Sequence, residues 1–213
     1  MGTLNLGGGA SFTGGTSGFL ANAPSGTIIK TGSYYTGAGT GASTTSSSGT
    51  YYTISINGTG QRLRNMTKAG DDLLAYNKIS NDSHLHINVE FPTYLDTGNN
   101  GMGFRVRLSV DGGSNYLYIP DNVTISDTNQ NSENSIWASW GLNGYGGHTA
   151  DHLSCKYTTD SYTANADTIR THTGEVRMYF EGRVHSSSDT AYWINYSNNW
   201  QKAGYVYIDE VKN

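Results

Sequence analysis

Apolar and polar residues alternate in three long segments of the chain, and this alternation is typical of β-strands. The segments are residues 84–91, 104–110 and 175–184. Because successive side chains of a strand point to opposite faces, one face of each segment is predicted to be buried and the other solvated. The predicted core residues are Leu85, Ile87, Val89, Phe104, Val106, Leu108, Val176, Met178 and Phe180. The pattern therefore predicts half-buried antiparallel strands.

Shorter runs add further strands. Residues 27–30, 51–57 and 205–211 are each predicted to be extended, with Tyr52, Ile54 and Ile56 on one face of the second run. The segment 191–196 is apolar on both faces, which predicts a central strand or an interface strand. Asp111-Gly112-Gly113 predicts a hairpin turn. Between residues 120 and 173 the alternation weakens, so long loops with short strands are expected there. About eight to ten strands and no helix follow from this pattern.

These elements predict an all-β fold, an antiparallel jelly-roll-like β-sandwich that occupies residues 27–213. Residues 1–26 precede it as a glycine-rich N-terminal arm. Ordering so much glycine costs conformational entropy, and we therefore expect a partner to hold the arm. The apolar residues available for such anchoring are Leu4, Leu6, Phe12, Phe19 and Leu20. The alternative is that the arm lies across its own domain.

Composition narrows the classes of function. Charged residues make up 14% of the 213-residue chain, and the net charge is −4. The acidic balance argues against binding to nucleic-acid phosphates. No apolar stretch reaches the length of a membrane span, so we expect no membrane insertion. The single cysteine, Cys155, excludes an intramolecular disulfide and a cysteine-cluster metal site. We expect no cofactor.

The first residues of the chain carry neither a basic segment nor an apolar segment of the kind found in secretory signals. Synthesis in a host cytoplasm is therefore expected. A surface rich in glycine, serine, threonine, asparagine and tyrosine is nevertheless typical of proteins that work outside cells. Both features fit a virion component that is released by lysis.

His84, His86 and Glu90 are the sharpest candidate for metal chemistry. They share one strand face, and the spacing is similar to that of the metal-binding strand of cupins, which are jelly rolls. Two features depart from that motif: Lys78 stands where its leading glycine belongs, and no second histidine segment follows. The opposite face is the predicted core face, so solvated polar side chains without a metal are expected. A cupin-type metalloenzyme is the minor alternative.

No other motif supports catalysis. The chain has no Gly-x-Ser-x-Gly elbow and no phosphate loop with a Gly-Lys-Ser/Thr ending. His148 and His152 are four residues apart, but the preceding Gly146-Gly147 indicates a loop. We expect that the chain is not an enzyme.

Aromatic residues are the best candidates for binding, because tyrosine and tryptophan combine a flat apolar surface with a polar group. The candidates for a binding site or an interface are Trp137, Trp140, Tyr145, Tyr192 and Trp200. Their alternative role is packing in a core that is short of leucine. A carbohydrate-binding, lectin-like module is accordingly the main alternative function.

Several short segments together resemble one family. They are the lead-in 24–29 (Pro-Ser-Gly-Thr-Ile-Ile), the strand 103–106 and the closing strands 175–184, 191–195 and 205–211. This layout resembles jelly-roll virion proteins of marine and cyanobacterial tailed phages, found in tail fibres and in head decorations or knobs. The Trp137–Tyr145 stretch has no match in that layout.

The resemblance implies a non-enzymatic structural protein of the virion, either a capsid decoration or head fibre or a small tail fibre. It also implies a homotrimer, attached to other virion proteins through residues 1–26. Host attachment, with a surface glycan as the partner, is a further expectation. Head and tail locations both stay open.

Overall fold

The structure is a computed structural model. It describes residues 3–5, 11–13, 23–36, 43–45, 51–56, 61–70, 73–96, 102–119, 136–137, 149–159, 166–184, 190–193 and 203–213.

Sixteen strands and one short helix lie in these ranges. The strands are β1 (Thr3–Asn5), β2 (Ser11–Thr13), β3 (Ile28–Tyr35), β4 (Ser43–Thr45), β5 (Tyr52–Thr53), β6 (Gln61–Arg64), β7 (Met66–Lys68), β8 (Leu73–Lys78), β9 (Ser83–Asp96), β10 (Met102–Ser109), β11 (Leu117–Ile119), β12 (Ile136–Trp137), β13 (Thr149–Thr158), β14 (Gly174–Val184), β15 (Thr190–Trp193) and β16 (Tyr205–Lys212). The helix, α1, spans Ala166–Thr171.

The larger strands form two antiparallel sheets that pack against each other, and the predicted all-β sandwich is confirmed. One sheet has the order β11-β10-β14-β8-β7, with β12 beside β10 and β5 beside β14. The other has the order β4-β15-β9-β16-β3-β6, with β13 on the second side of β9. The first sandwich strand, β3, therefore lies next to the last, β16, and β8, β9 and β10 alternate between the sheets. The resulting layers, β3-β16-β9-β13 and β8-β14-β10-β11, have jelly-roll connectivity.

The core lies between the two sheets, where the alternation of the sequence places it. All nine predicted core residues are fully buried. Three phenylalanine rings join the sheets at the centre: Phe91 of β9 meets Phe104 at 5.8 Å and Phe180 at 5.2 Å, both edge to face. Edge-to-face contacts of this kind add to the free energy gained from burial.

The structure corrects several expectations. The strands are more numerous than expected, because short strands form in segments that lack a long alternating pattern. The ten-residue β13 lies in the region where loops were expected, and it pairs along its whole length with β9. Pairing with an established neighbour outweighs weak local preference. The helix α1 was also not expected. Among its described side chains only Ile169 is buried, so the sequence carries no apolar pattern of helical period there. Tyr52 does not share the buried face of Ile54 and Ile56, and its side chain is 41% exposed.

Two predicted segments are described in part. Strand β15, within the segment that is apolar on both faces, pairs with β4 on one side and β9 on the other. In the arm, β1 and β2 form a separate two-stranded hairpin in which Leu4 lies opposite Phe12. Leu6, Phe19 and Leu20 lie outside the described residues.

Candidate functional site

The first and last strands of the sandwich are fastened together at one end, which we call the base. The Gly26 amide donates to the Lys212 carbonyl oxygen at 2.8 Å, and the Lys212 amide donates to the Thr27 carbonyl oxygen at 2.9 Å. Ala23, just before this pair, is also buried. The arm therefore enters the sandwich at the base.

A buried carboxylate organises the base. Glu210 of β16 is fully buried, and its Oε1 accepts hydrogen bonds from the Ser80 amide and the Ser83 hydroxyl, both at 2.8 Å. The Ile79 amide lies 3.0 Å from Oε2, and the Tyr76 hydroxyl donates to Oε2 at 3.3 Å. This network, with Lys78, is called the Glu210 cluster below. It joins β16 to the connection between β8 and β9.

Lys78 is the cationic member of the Glu210 cluster. Its side chain is fully buried, and its Nζ lies 4.0 Å from Glu210 Oε1. The ammonium group donates to the carbonyl oxygens of Arg170 and His172, each at 3.0 Å, and to that of Ser80. Burial lowers the pKa of Lys78 to about 8, and the neighbouring Glu210 carboxylate opposes this shift. Lys78 thus holds the end of α1 against the sandwich.

The Glu210 cluster is suited to holding the fold rather than to chemistry on a ligand, because its two charged side chains have no solvent access. The sequence carries a signal for this cluster that the apolar pattern alone does not include. Every second residue of β16 points into the core, and Glu210 occupies such a position after Val206 and Ile208. Lys78 occupies the corresponding position of β8 after Leu74 and Tyr76. A charged residue at a core position of an alternating strand indicates a buried ion pair.

Asp82 forms a second, partly exposed set of ion pairs at the base. Its carboxylate accepts from Lys212 Nζ at 2.6 Å and from Arg170 Nη1 at 3.0 Å. These hydrogen bonds, that from Lys212 first, lower the pKa of Asp82 from 3.8 to about 2. Asp82 therefore links the last strand to α1 in its ionised form.

The lowered pKa of Asp82 predicts a pH dependence of stability. A depressed carboxyl pKa stabilises the fold above the unfolded-state pKa of 3.8, and the contribution is lost as the pH falls through the folded-state pKa of about 2. We expect Asp82→Asn to have a lower Tm than the parent at pH 5 to 7, by an amount that shrinks between about pH 4 and pH 2. Thermal unfolding followed by circular dichroism measures this. A Tm difference independent of pH would contradict the assignment.

The metal candidates lie on the outer face of β9, as the pattern predicted. His84, His86 and Glu90 are half-buried, and Nε2 of His84 is 3.0 Å from Oδ1 of Asn213. Within the described ranges, no group of three or more histidine, cysteine, aspartate or glutamate side chains is close enough to hold a metal ion. These residues contribute polar groups to the outer surface of the sheet.

Three tyrosines lie beside them on the same face, and we call them the tyrosine strip: Tyr35, Tyr205 and Tyr207. The rings of Tyr205 and Tyr207 are nearly parallel, with an interplanar angle of 9° and centroids 6.1 Å apart. Tyr35 meets Tyr205 with centroids 6.2 Å apart. Tyr207 is 39% exposed. The strip was missed at the level of sequence because it requires the register of β3 against β16.

On the outer face of the other sheet, arginine guanidinium groups pack against tyrosine rings. The Arg105 guanidinium lies 3.9 Å from the centroid of the Tyr51 ring. The Arg107 guanidinium lies 4.3 Å from the centroid of the Tyr116 ring and 4.4 Å from that of Tyr179, and these two rings meet edge to face. Both arginines are also paired with the Glu181 carboxylate, at 2.7 and 3.0 Å. Because the carboxylate and the rings already engage these cations, the face is not a strong candidate for anion binding.

A polar notch of about 320 Å³ lies at the edge between the sheets. It is lined by Lys30, Asn65, Thr67, Ala75, Tyr76, Asn77 and Glu175. Lys30 reaches across from β3, with its ammonium 4.8 Å from the centroid of the Tyr76 ring, and donates to the Asn77 carbonyl oxygen. Lys30 thereby satisfies a backbone group of β8 from the other sheet.

The aromatic candidates from the sequence lie largely outside the described residues. Trp137 lies in β12 opposite Gly103, and Tyr192 lies in β15 opposite Tyr94. Their side chains are outside the described part, as are Trp140, Tyr145 and Trp200 altogether.

Comparison with known proteins adds no family. No protein-family model matches the chain, and no curated protein matches it significantly. In the described part of the chain, no helix has the length and apolar character needed to cross a membrane.

Proposed function

We propose that the chain is a non-enzymatic structural protein of a bacteriophage virion, a capsid decoration, head fibre or small tail fibre that is displayed on the particle. One observation carries this proposal: residues 23–26, where the arm joins the sandwich, and the tyrosine strip lie at opposite ends of the same pair of strands. Tyr35 pairs with Tyr205 at one end of β3 and β16, whereas Ile28 pairs with Val211 at the other.

The separation of the two ends follows from strand geometry. Tyr35 and Ile28 are seven residues apart (35 − 28), which corresponds to roughly 23 Å at ~3.3 Å per residue. A domain that is attached through its arm would therefore hold the tyrosine strip away from the attachment surface. This arrangement favours a protein that is fixed at its base and makes contacts at its far end.

Buried and partly exposed ion pairs and hydrogen bonds also stabilise the base. The buried Glu210 cluster and the Asp82 ion pairs join β16, α1 and the start of β9 where the arm enters. Jelly rolls occur in both capsid and lectin domains, so the fold by itself does not choose between display and sugar binding. The fastening at the base supports display.

Removal of the arm is expected to abolish attachment to the particle. The deletion should end at residue 22, because Ala23 is buried and Gly26 bonds to Lys212. We expect the variant to stay folded and to lose more than about 90% of its co-sedimentation with phage particles that lack the native protein, because the arm supplies the contact. Circular dichroism checks folding, and particle pelleting measures attachment.

Tyr207→Ser is the matched control, because it alters the far end of the sandwich and should attach like the parent chain. We also propose that the intact chain is a homotrimer held through residues 1–26, which native mass spectrometry should show. If the deletion variant attaches as fully as the parent, the proposal that the arm attaches the chain to the particle is overturned. If the intact chain is only monomeric, the proposal of a homotrimer is overturned.

A further inference from the structure

We propose that the face around the tyrosine strip binds a neutral oligosaccharide. This inference deepens the host-contact part of the proposed function, and it rests on that function only for the outward orientation of the strip. It concerns a different surface from the tryptophan-rich segments that the sequence indicated.

Strand register arranges the face as three rows across β9, β16 and β3. The rows are Glu90, Tyr205 and Tyr35; Asn88, Tyr207 and Ser33; and His86, Asp209 and Thr31. Neighbours across the strands are ~4.8 Å apart and neighbours along a strand ~6.8 Å apart, so the grid covers roughly 10 by 14 Å. This area accommodates a short run of sugar rings rather than a single small molecule.

The tyrosines supply the flat apolar part of the site. A pyranose ring has one face rich in C–H groups, which packs against the electron-rich face of an aromatic ring. Tyr205 and Tyr207 present nearly parallel rings, and both their neighbours across the sheet, Glu90 and Asn88, are half-buried polar residues. Each ring is therefore flanked by a hydrogen-bonding group, as a sugar requires.

Charges of both signs lie on and beside the face. Glu90 and Asp209 carry carboxylates, which accept hydrogen bonds from sugar hydroxyl groups, while strand register places Arg64 of β6 next to Ser33 and Lys156 of β13 next to Asn88. Since neither sign predominates, the face favours a neutral ligand over an acidic or a cationic one. Burial, and then the negative charge of Glu90, raises the pKa of Tyr207, so its hydroxyl stays a donor at neutral pH. The grid therefore holds both hydrogen-bond donors and acceptors. A hydroxyl-rich ligand, whose groups both donate and accept, matches this mixture better than a purely cationic peptide.

The test uses the full chain and isothermal titration calorimetry. The probes are neutral tetrasaccharides of glucose, mannose, galactose and N-acetylglucosamine, an acidic tetragalacturonate and a cationic tetralysine. We expect at least one neutral probe to bind and neither charged probe to bind more tightly. Tyr207→Ala should weaken that binding at least tenfold, and Tyr207→Phe should weaken it much less.

The matched control is Tyr52→Ala, because Tyr52 is similarly exposed, at 41%, but lies on the other sheet. This variant should change the dissociation constant by less than about twofold, which corresponds to less than ~0.4 kcal/mol of binding free energy. The inference is overturned if no neutral probe binds at millimolar concentration, if Tyr207→Ala binds like the parent, or if tetralysine or tetragalacturonate binds best. Particle attachment plays no part in these measurements, so their failure would leave the proposed virion role standing.

Discussion

Replacement of Glu210 with leucine is expected to lower the free energy of unfolding by about 3–5 kcal/mol, the range found when one partner of a buried ion pair is removed. The variant would leave the Lys78 ammonium without its counter-charge. It would also leave the amides of Ile79 and Ser80 and the hydroxyl of Ser83 without their acceptor. Urea unfolding at neutral pH, followed by tryptophan fluorescence, measures the change.

Two further variants make this result interpretable. Glu90→Leu applies the same substitution on the outer, half-buried face of β9, and should change stability by no more than about 0.5 kcal/mol. The double variant Glu210→Leu with Lys78→Met should lose less than the sum of its single variants, because no uncompensated charge stays buried. A loss below about 1 kcal/mol for Glu210→Leu would show that the carboxylate is not a structural anchor.

Substitution of Gly32 by alanine is the second large effect that we expect. A Cβ atom at this position of β3 would lie 2.8 Å from two ring carbons of Tyr76 and 2.9 Å from Cγ of Met66. Both neighbours are fully buried, and Tyr76 is held by its hydrogen bond to Glu210. Since neither side chain can move freely, we expect a loss of about 1–3 kcal/mol from overpacking. Thermal and urea unfolding both report it.

Gly70→Ala is the control for this effect. The nearest atom to a Cβ at Gly70 is Cδ2 of Leu73 at 3.9 Å, an ordinary van der Waals distance. The substitution should therefore be neutral, or stabilise slightly through the unfolded state. Equal stability of Gly32→Ala and the parent would mean that β3 lies farther from Tyr76 than the structure places it.

The buried faces of the long strands were predictable from the sequence because each side chain reports its own environment. Leu85, Ile87 and Val89 are buried between polar residues, and alternation of this kind is local. The core and the sandwich follow from such segments. Strand β13 does not, because its position depends on β9, a partner about 60 residues away in the chain (149 − 95 = 54 to 158 − 86 = 72).

The candidate surfaces were less predictable for a related reason. The tyrosine strip combines residues from the first and the last strands of the sandwich, and only the pairing of β3 with β16 brings Tyr35 beside Tyr205. Aromatic density along the sequence instead favoured segments near Trp137 and Trp200. Aromatic residues that are close in the sequence form a cluster in space only where neighbouring segments of the chain contact each other.

The Glu210 cluster shows the opposite case, in which a local signal existed. A glutamate at the third inward position of a strand, after Val206 and Ile208, departs from the apolar pattern. Such departures are expected at sites that fix a structure or carry a function. Here the departure marks the base, where the arm enters, which is the part of the molecule that the virion proposal requires to be firmly held.

The most direct test of the proposed virion role is quantitative mass spectrometry of phage particles purified from cultures that produce the chain. We expect the chain in intact, genome-filled particles at a fixed copy number that is a multiple of three and that withstands washing with high salt. A chain that is abundant in the infected cell but confined to the fraction without particles would contradict the account.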